Sequence, residues 1–309
     1  MRLCNFSIGG APRLGVMDGN SVVDLAAVMN VPAFADTKSF IEGGTEALAL
    51  AEQIRTDAPE AAKLDPGSVA LEAPLMPSTV LCSGSNYHAH NAEKANTPLS
   101  GKEPEFFLKT ADCVVGPGAP IACDNLLTKK LDAETELAVV IGKPGRHIAV
   151  GDALTHVFGY TVSNDVTARD RQVRRSPEGF TWYELGRGKA FDSSLPLGPV
   201  IVTADEIPDP QALMLRTRIN GELRQQSTTG DMIWSCAELI HFFSTSFTLK
   251  PGMVILTGTP AGTAWSVDKD LGGNWTPAEG LVAATRYCLP GDVIECEIAE
   301  IGVLSNPVV

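Results

Sequence analysis

From Thr79 to the C-terminus the chain is cut into short apolar runs, each ended by glycine, proline or an Asn/Asp turn. The runs are Thr79–Cys82, Glu105–Lys109, Glu136–Ile141, His156–Ser163, Pro199–Thr203, Leu213–Ile219, Met253–Thr257 and Val293–Ile298. Runs of this length bounded by turn residues read as strands, and most of the 29 Gly and 21 Pro fall between them. Only the stretch from Ala149–Ala153 onward and Cys236–Ser244 carry helical spacing in this part. Many strands with few helices argue against a doubly wound parallel sheet and for an antiparallel-rich barrel or sandwich. Neither common glycine-rich phosphate loop is present, so nucleotide binding has no support.

Residues 1–75 read as a small N-terminal α+β domain and 76–309 as the catalytic domain. In the first, Leu3–Ile8, Arg13–Met17 and Ser21–Leu25 are short apolar runs, the last two separated by the hairpin signal Asp18-Gly19. Thr45–Ile54 has helical spacing, and Ala73–Pro77 is a proline-rich connector. Nothing in this unit looks chemical.

The 309 residues carry 37 acidic against 24 basic side chains, a formal charge of −13. With no Lys/Arg-rich run, this excludes a nucleic-acid or anionic-membrane partner. No apolar run approaches the roughly 20 residues that span a bilayer. Seven scattered cysteines without a C-x-x-C pair read as reduced thiols, and the expected location is cytoplasmic.

The acidic excess draws attention to Leu131–Gly142, where Glu134 and Glu136 head an apolar strand. Residues i and i+2 of a strand share a face, so the two carboxylates converge unless the strand edge is solvated. Asp165 ends another apolar strand, and three carboxylates with water suit Mg²⁺, Mn²⁺ or, with more ligands, Ca²⁺. In Asn86–Glu93, His90 and Glu93 are i,i+3 neighbours if the segment is helical, the arrangement of a general base oriented by a carboxylate. Zinc on His88 and His90 lacks a nearby third ligand. Lys189, between flanking glycines, and the turn Thr257–Gly262 read either as ordinary surface and strand exit or as anion contacts.

Taken in order, these segments resemble the fumarylacetoacetate hydrolase family over about three-quarters of the chain. The pieces are Ser85-Asn86-Tyr87-x-x-His90, Phe107-Leu108-Lys109, Glu134-x-Glu136 through Gly142, Gly159 through Asp170, Gly188-Lys189-Ala190-Phe191-Asp192, Asn220-Gly221-Glu222 and Thr257 through Gly262. The resemblance implies a mixed α/β, strand-rich, β-roll or barrel-like catalytic domain with a small N-terminal α+β domain, and a divalent cation, usually Mg²⁺, on Glu134, Glu136 and Asp165. It implies chemistry by His90, Glu93 and Lys189, and substrate contacts by Tyr87, Arg169, Gln172, Lys189 and Thr259. The expected reaction is metal-dependent hydrolysis of a C–C bond in a 2,4-dioxo acid, an acylpyruvate or diketo-deoxy sugar acid, with water activated by the His–Glu dyad. The alternative on the same site is decarboxylation or keto–enol isomerisation of a 2-oxo or 2-hydroxy-dienoic acid. A homodimer is the expected assembly. Residues 263–287 intervene before Leu289-Pro290-Gly291-Asp292, and their Trp265 and Trp275 mark this stretch as a packed rim over the pocket or a subunit contact.

Overall fold

A computed structural model describes residues 1–93 and 103–309. Its organising element is the strand Thr135–Ile141, all seven residues of which are buried. Leu137, Val139 and Ile141 point into one apolar cluster, and Ala138 and Val140 into the other. A strand covered on both faces reads as a continuous apolar run rather than an alternating one. Each such aliphatic side chain contributes ~1.5–3 kcal/mol by leaving water.

This strand pairs antiparallel with Val157–Asn164 and with Val254–Leu256. The sheet around it has 12 strands. On one side it runs through Leu195–Thr203 to the N-terminal strands Arg2–Ile8, Ala11–Asp18 and Ser21–Asp24, ending at Lys63–Leu64. On the other it runs through Val80–Gly84 to Glu105–Lys109. The strand-rich mixed α/β architecture is present, but the sheet is not closed into a barrel: its two end strands are not paired with each other. A second, four-stranded antiparallel sheet, Glu222–Thr228, Met214–Ile219, Val293–Ile298 and Gly302–Pro307, contributes Leu215, Ile294, Ile298 and Leu304 to the first cluster.

The leading segment contributes strands to the same sheet, with Leu3 opposite Ile201. Its helices Thr37–Glu42 and Gly44–Asp57 supply Phe40, Ala47, Ala51 and Ile54 to the second cluster. The helix Cys236–Ser246 forms where its spacing predicts, started by a reciprocal Ser235–Glu238 capping box. The segment after Ala149 is instead a 3₁₀ helix, Val150–His156, with Gly151 near its start, a residue that disfavours a sustained α-helix. All seven cysteines are free thiols, six of them buried. Among the described residues, no helix is long and apolar enough to cross a membrane.

Candidate active site

The register of the central pair builds the acidic cluster. Thr135 lies opposite Asn164, so Asp165 leaves its strand beside Glu134, and its amide donates to the Glu134 carbonyl at 2.9 Å. Asn164 Oδ1 accepts from the Glu134 amide at 2.9 Å. Glu134, Glu136 and Asp165 are all buried, with one carboxylate oxygen from each lying within 4.8 Å of the others. The i,i+2 relation and the antiparallel neighbour together produce the convergence that spacing alone leaves open.

Four buried carboxylates here share three buried cations. Arg169 Nε donates to Asp132 Oδ2 at 2.8 Å and its Nη2 to Glu134 Oε1 at 2.5 Å. The Lys189 ammonium bridges Glu134 Oε2 at 2.6 Å and Asp165 Oδ2 at 2.5 Å. Lys109 is ion-paired with Asp165 Oδ1 at 2.9 Å. Glu136 has no ion pair among the described residues and accepts only the Gly258 amide, at 2.7 Å. Burial opposes ionisation of Glu134, yet Arg169 and Lys189 outweigh it and hold this carboxyl well below the usual range. Burial, then the negative charges of Asp165 and Glu134, push Glu136 well above it. Lys189 is raised: burial works against its charge, but Asp165 and Glu134 prevail.

This donor set fits a divalent cation. Carboxylate oxygens are hard ligands, three of them converge, and the excess negative charge falls on Glu136, which has no ion-pair partner among the described residues.

His90 and Glu93 form the second half of the site. The short helix His88–Ala92 brings them together: His90 Nδ1 lies 2.6 Å from Glu93 Oε2, and both residues are buried. The other Glu93 oxygen accepts the Gly262 amide at 2.5 Å. His88 is exposed, which removes the zinc pairing with His90. Upstream, Asn86 anchors the loop by donating to the Thr257 and Trp234 carbonyls at 2.7 and 2.9 Å. Gly258 must be glycine: its φ is +91°, and a Cβ would lie 2.7 Å from that of Asn86. Gly188 is equally constrained, because a Cβ there would stand 2.7 Å from Gln172 Cα, blocking the approach of Leu185–Lys189 to Arg169–Gln172.

One enclosed cavity collects His90, Glu134, Glu136, Asp165, Arg169, Gln172, Lys189 and Thr259. Gln172 Oε1 accepts from Arg169 Nη1 at 2.9 Å, which leaves its amide N–H groups for a ligand. The Thr259 hydroxyl donates to the Thr135 carbonyl and accepts from Gln225, each at 3.0 Å, so its side chain holds the floor of the site. Tyr87 does not line this cavity: it packs in the core, bridged through its backbone to Met232. Sequence reasoning overlooked Asp132 and Lys109 as site residues and read Trp265 only as part of a rim over the pocket or a subunit contact. Asp132 stands two residues before Glu134, and Lys109 shares the buried side of its strand with Phe107, so alternation carried a signal for both. Of the two positions that the sequence left open for Trp265, the structure sets it, 3% exposed, into the cavity wall.

The family profile described as fumarylacetoacetate (FAA) hydrolase C-terminal matches residues 79–309. Oxaloacetate tautomerase fahd2 of Xenopus laevis, named as mitochondrial, is 40% identical over 315 residues, covering 100% of this chain and 90% of its own. Oxaloacetate tautomerase YisK of Bacillus subtilis is 40% identical over 242 residues, covering 78% of this chain and 73% of its own. The crystal structure of maleylpyruvate hydrolase from Sphingobium, in complex with manganese(II) and pyruvate, superposes with a TM-score of 0.75. It is 29% identical, and the match covers 100% of this chain and 99% of that one. Relatives at 40% identity are thus tautomerases, which overturns the expectation of C–C bond hydrolysis in favour of keto–enol isomerisation. The physical reason is plain: a histidine oriented by a carboxylate moves protons in either reaction, so the dyad does not separate them. The mitochondrial name of the Xenopus relative also means that a cytoplasmic location does not follow from the family.

Proposed function

The chain belongs to the fumarylacetoacetate hydrolase family, and from that premise we propose that it is a keto–enol tautomerase of a small 2-oxo dicarboxylic acid of the oxaloacetate type. The observation that carries this reading over hydrolysis is the 40% identity to oxaloacetate tautomerases, and the pairing, in one cavity, of a histidine–carboxylate base with a buried acidic triad supplies the chemistry it needs. The names of the full-length relatives supply the substrate class.

Glu134, Glu136 and Asp165 would hold the divalent cation, Mg²⁺ or the Mn²⁺ named with the Sphingobium structure. When bound, it supplies Lewis-acid stabilisation of negative charge on the 2-oxo oxygen. Arg169, Gln172 and Lys189 bind and orient the substrate's carboxylate groups, with Arg169 fixed in advance by Asp132. Glu93 orients His90 through Nδ1, which assigns the role of base to Nε2. Nε2 takes a proton from the methylene carbon next to the carbonyl, the C–H electron pair becomes the C2–C3 π bond, the carbonyl π pair moves onto oxygen, and the protonated His90 returns its proton to that oxygen. The reverse sequence converts enol to ketone. No σ bond to carbon other than C–H forms or breaks, and the surrounding Trp265, Phe107 and Leu185 limit access of water. Residues 1–75 act in this proposal as an accessory unit to a catalytic domain of 76–309. The proposed assembly is a homodimer, supported by the exposed Phe106 and Leu108 on the end strand of the sheet.

The test is deuterium exchange. In D₂O with Mg²⁺, the protein should accelerate loss of the methylene proton signals of oxaloacetate without changing its total amount. Carbon dioxide released at the same rate would assign decarboxylation instead.

A further inference from the structure

The proposed mechanism uses Trp265 only as a wall, yet three contacts converge on its ring. The Arg169 guanidinium carbon lies 5.1 Å from the ring centroid. His90 meets the ring edge-on at 6.4 Å and 76°, and Tyr183 does so at 6.0 Å and 67°. The ring itself is fixed: Nε1 donates to the Leu271 carbonyl at 3.0 Å. The Trp265 amide donates at 3.1 Å to Asp132 Oδ2, the oxygen that takes Arg169 Nε at 2.8 Å. A single carboxylate therefore sets both the guanidinium and the indole that covers it. The segment after Trp265 also reaches the dyad, since the Asn274 amide donates to the Glu93 carbonyl at 2.8 Å.

We propose that Trp265 is a positioning residue: its π face holds Arg169 in the orientation that receives a substrate carboxylate, and its edge backs His90. Through it, the start of the 263–287 segment joins the anion-binding half of the site to the proton-moving half. This rests on the tautomerase reading for the identity of the substrate, but not for the geometry. A guanidinium shielded from water interacts with an aromatic face more strongly than one at the surface. Arg169 is fully buried, with Nε, Nη1 and Nη2 engaged by Asp132, Gln172 and Glu134. Any rotation of the fork would break these bonds, and the indole lies over one face of it.

The test uses oxalate, a small planar dianion, as the probe, with Mn²⁺ present and calorimetric detection. It compares wild type, Trp265→Phe, Trp265→Leu and Trp265→Ala. Leucine fills much of the volume without a π face, so Trp265→Leu decides the question even if Trp265→Ala fails to fold. Trp265→Leu should weaken oxalate on the order of tenfold, while Trp265→Phe stays within about threefold of wild type. In oxaloacetate tautomerisation the leucine variant should show both a raised KM, through Arg169, and a lowered kcat, through His90. Oxalate bound by Trp265→Leu as tightly as by wild type would overturn the proposal. So would a phenylalanine variant as weak as the leucine one at equal thermal stability. If the wild type is inactive on oxaloacetate but binds oxalate, the reaction assignment fails, and the binding series alone still decides the role of Trp265.

Discussion

Replacing Glu136 by glutamine should make the metal-free protein more stable while removing its response to metal. Glu136 is buried, accepts one amide hydrogen bond from Gly258, and has two other carboxylates close by. Burial and those charges raise its folded-state pKa well above 4.5, the ordinary value of a glutamate in the unfolded chain. A carboxyl with a raised folded pKa contributes stability that is fully present below its unfolded pKa and lost as pH rises through its folded pKa. Near neutrality the metal-free wild type therefore carries either a protonated Glu136 or an uncompensated charge. Glutamine keeps the shape and the acceptor for Gly258 and removes the titration. The expected gain is ~1–3 kcal/mol at pH 7, the scale of an uncompensated buried polar group. At about 2–4 °C per kcal/mol, this raises Tm by roughly 2–12 °C in chelator. Mn²⁺ at about 100 times its Kd should add ~2.7 kcal/mol to the wild type and far less to the variant, which has lost one of the charged ligands. Scanning calorimetry in chelator and in excess Mn²⁺ reads both effects. A variant that is destabilised in chelator and keeps the full Mn²⁺ shift would refute the charge argument.

Other substitutions should separate the remaining parts of the site. His90→Ala should lower kcat by about 10²–10⁴-fold, the usual contribution of a general base, while the Mn²⁺-induced rise in Tm persists. Asp132→Ala removes one of the two carboxylates that pair with the buried Arg169 guanidinium and leaves the amides of Ala264 and Trp265 without their acceptor. It should cost ~3–5 kcal/mol in a denaturant titration and raise KM for oxaloacetate. Lys189→Met leaves Glu134 and Asp165 with one cation fewer, so the metal-free protein should lose stability on the same scale as Asp132→Ala, and added Mn²⁺ should restore part of it, as read by Tm.

The parts of this site that can be read from the chain are those fixed by local periodicity. Glu134 and Glu136 share a strand face, His90 and Glu93 share a helical turn, and both relations survive in the structure. Asp165 joins them through a strand register that apolar runs suggest but do not specify. Lys109 and Asp132 escaped notice because their importance lies in partners 56 and 37 residues away, Asp165 and Arg169. Each is a buried charge whose meaning depends on the opposite charge beside it. Tyr87 stands next to the right residues in sequence, yet the backbone bridge to Met232 turns it into the core. The open path of the main sheet was equally illegible, since closure depends on how far the end strands Lys63–Leu64 and Glu105–Lys109 diverge. The reaction itself was the least legible, because one dyad serves both proton transfer to carbon and activation of water.

The central claim is the interconversion of ketone and enol, and its most direct measurement starts from the enol form. Enolic oxaloacetate dissolved in aprotic solvent and diluted into buffer with Mg²⁺ loses its ultraviolet absorbance as it ketonises. The account predicts that catalytic amounts of this protein speed that decay, that His90→Ala abolishes the acceleration, and that total oxaloacetate is conserved throughout. An unchanged decay rate at any protein concentration, or absorbance lost together with oxaloacetate itself, would contradict it.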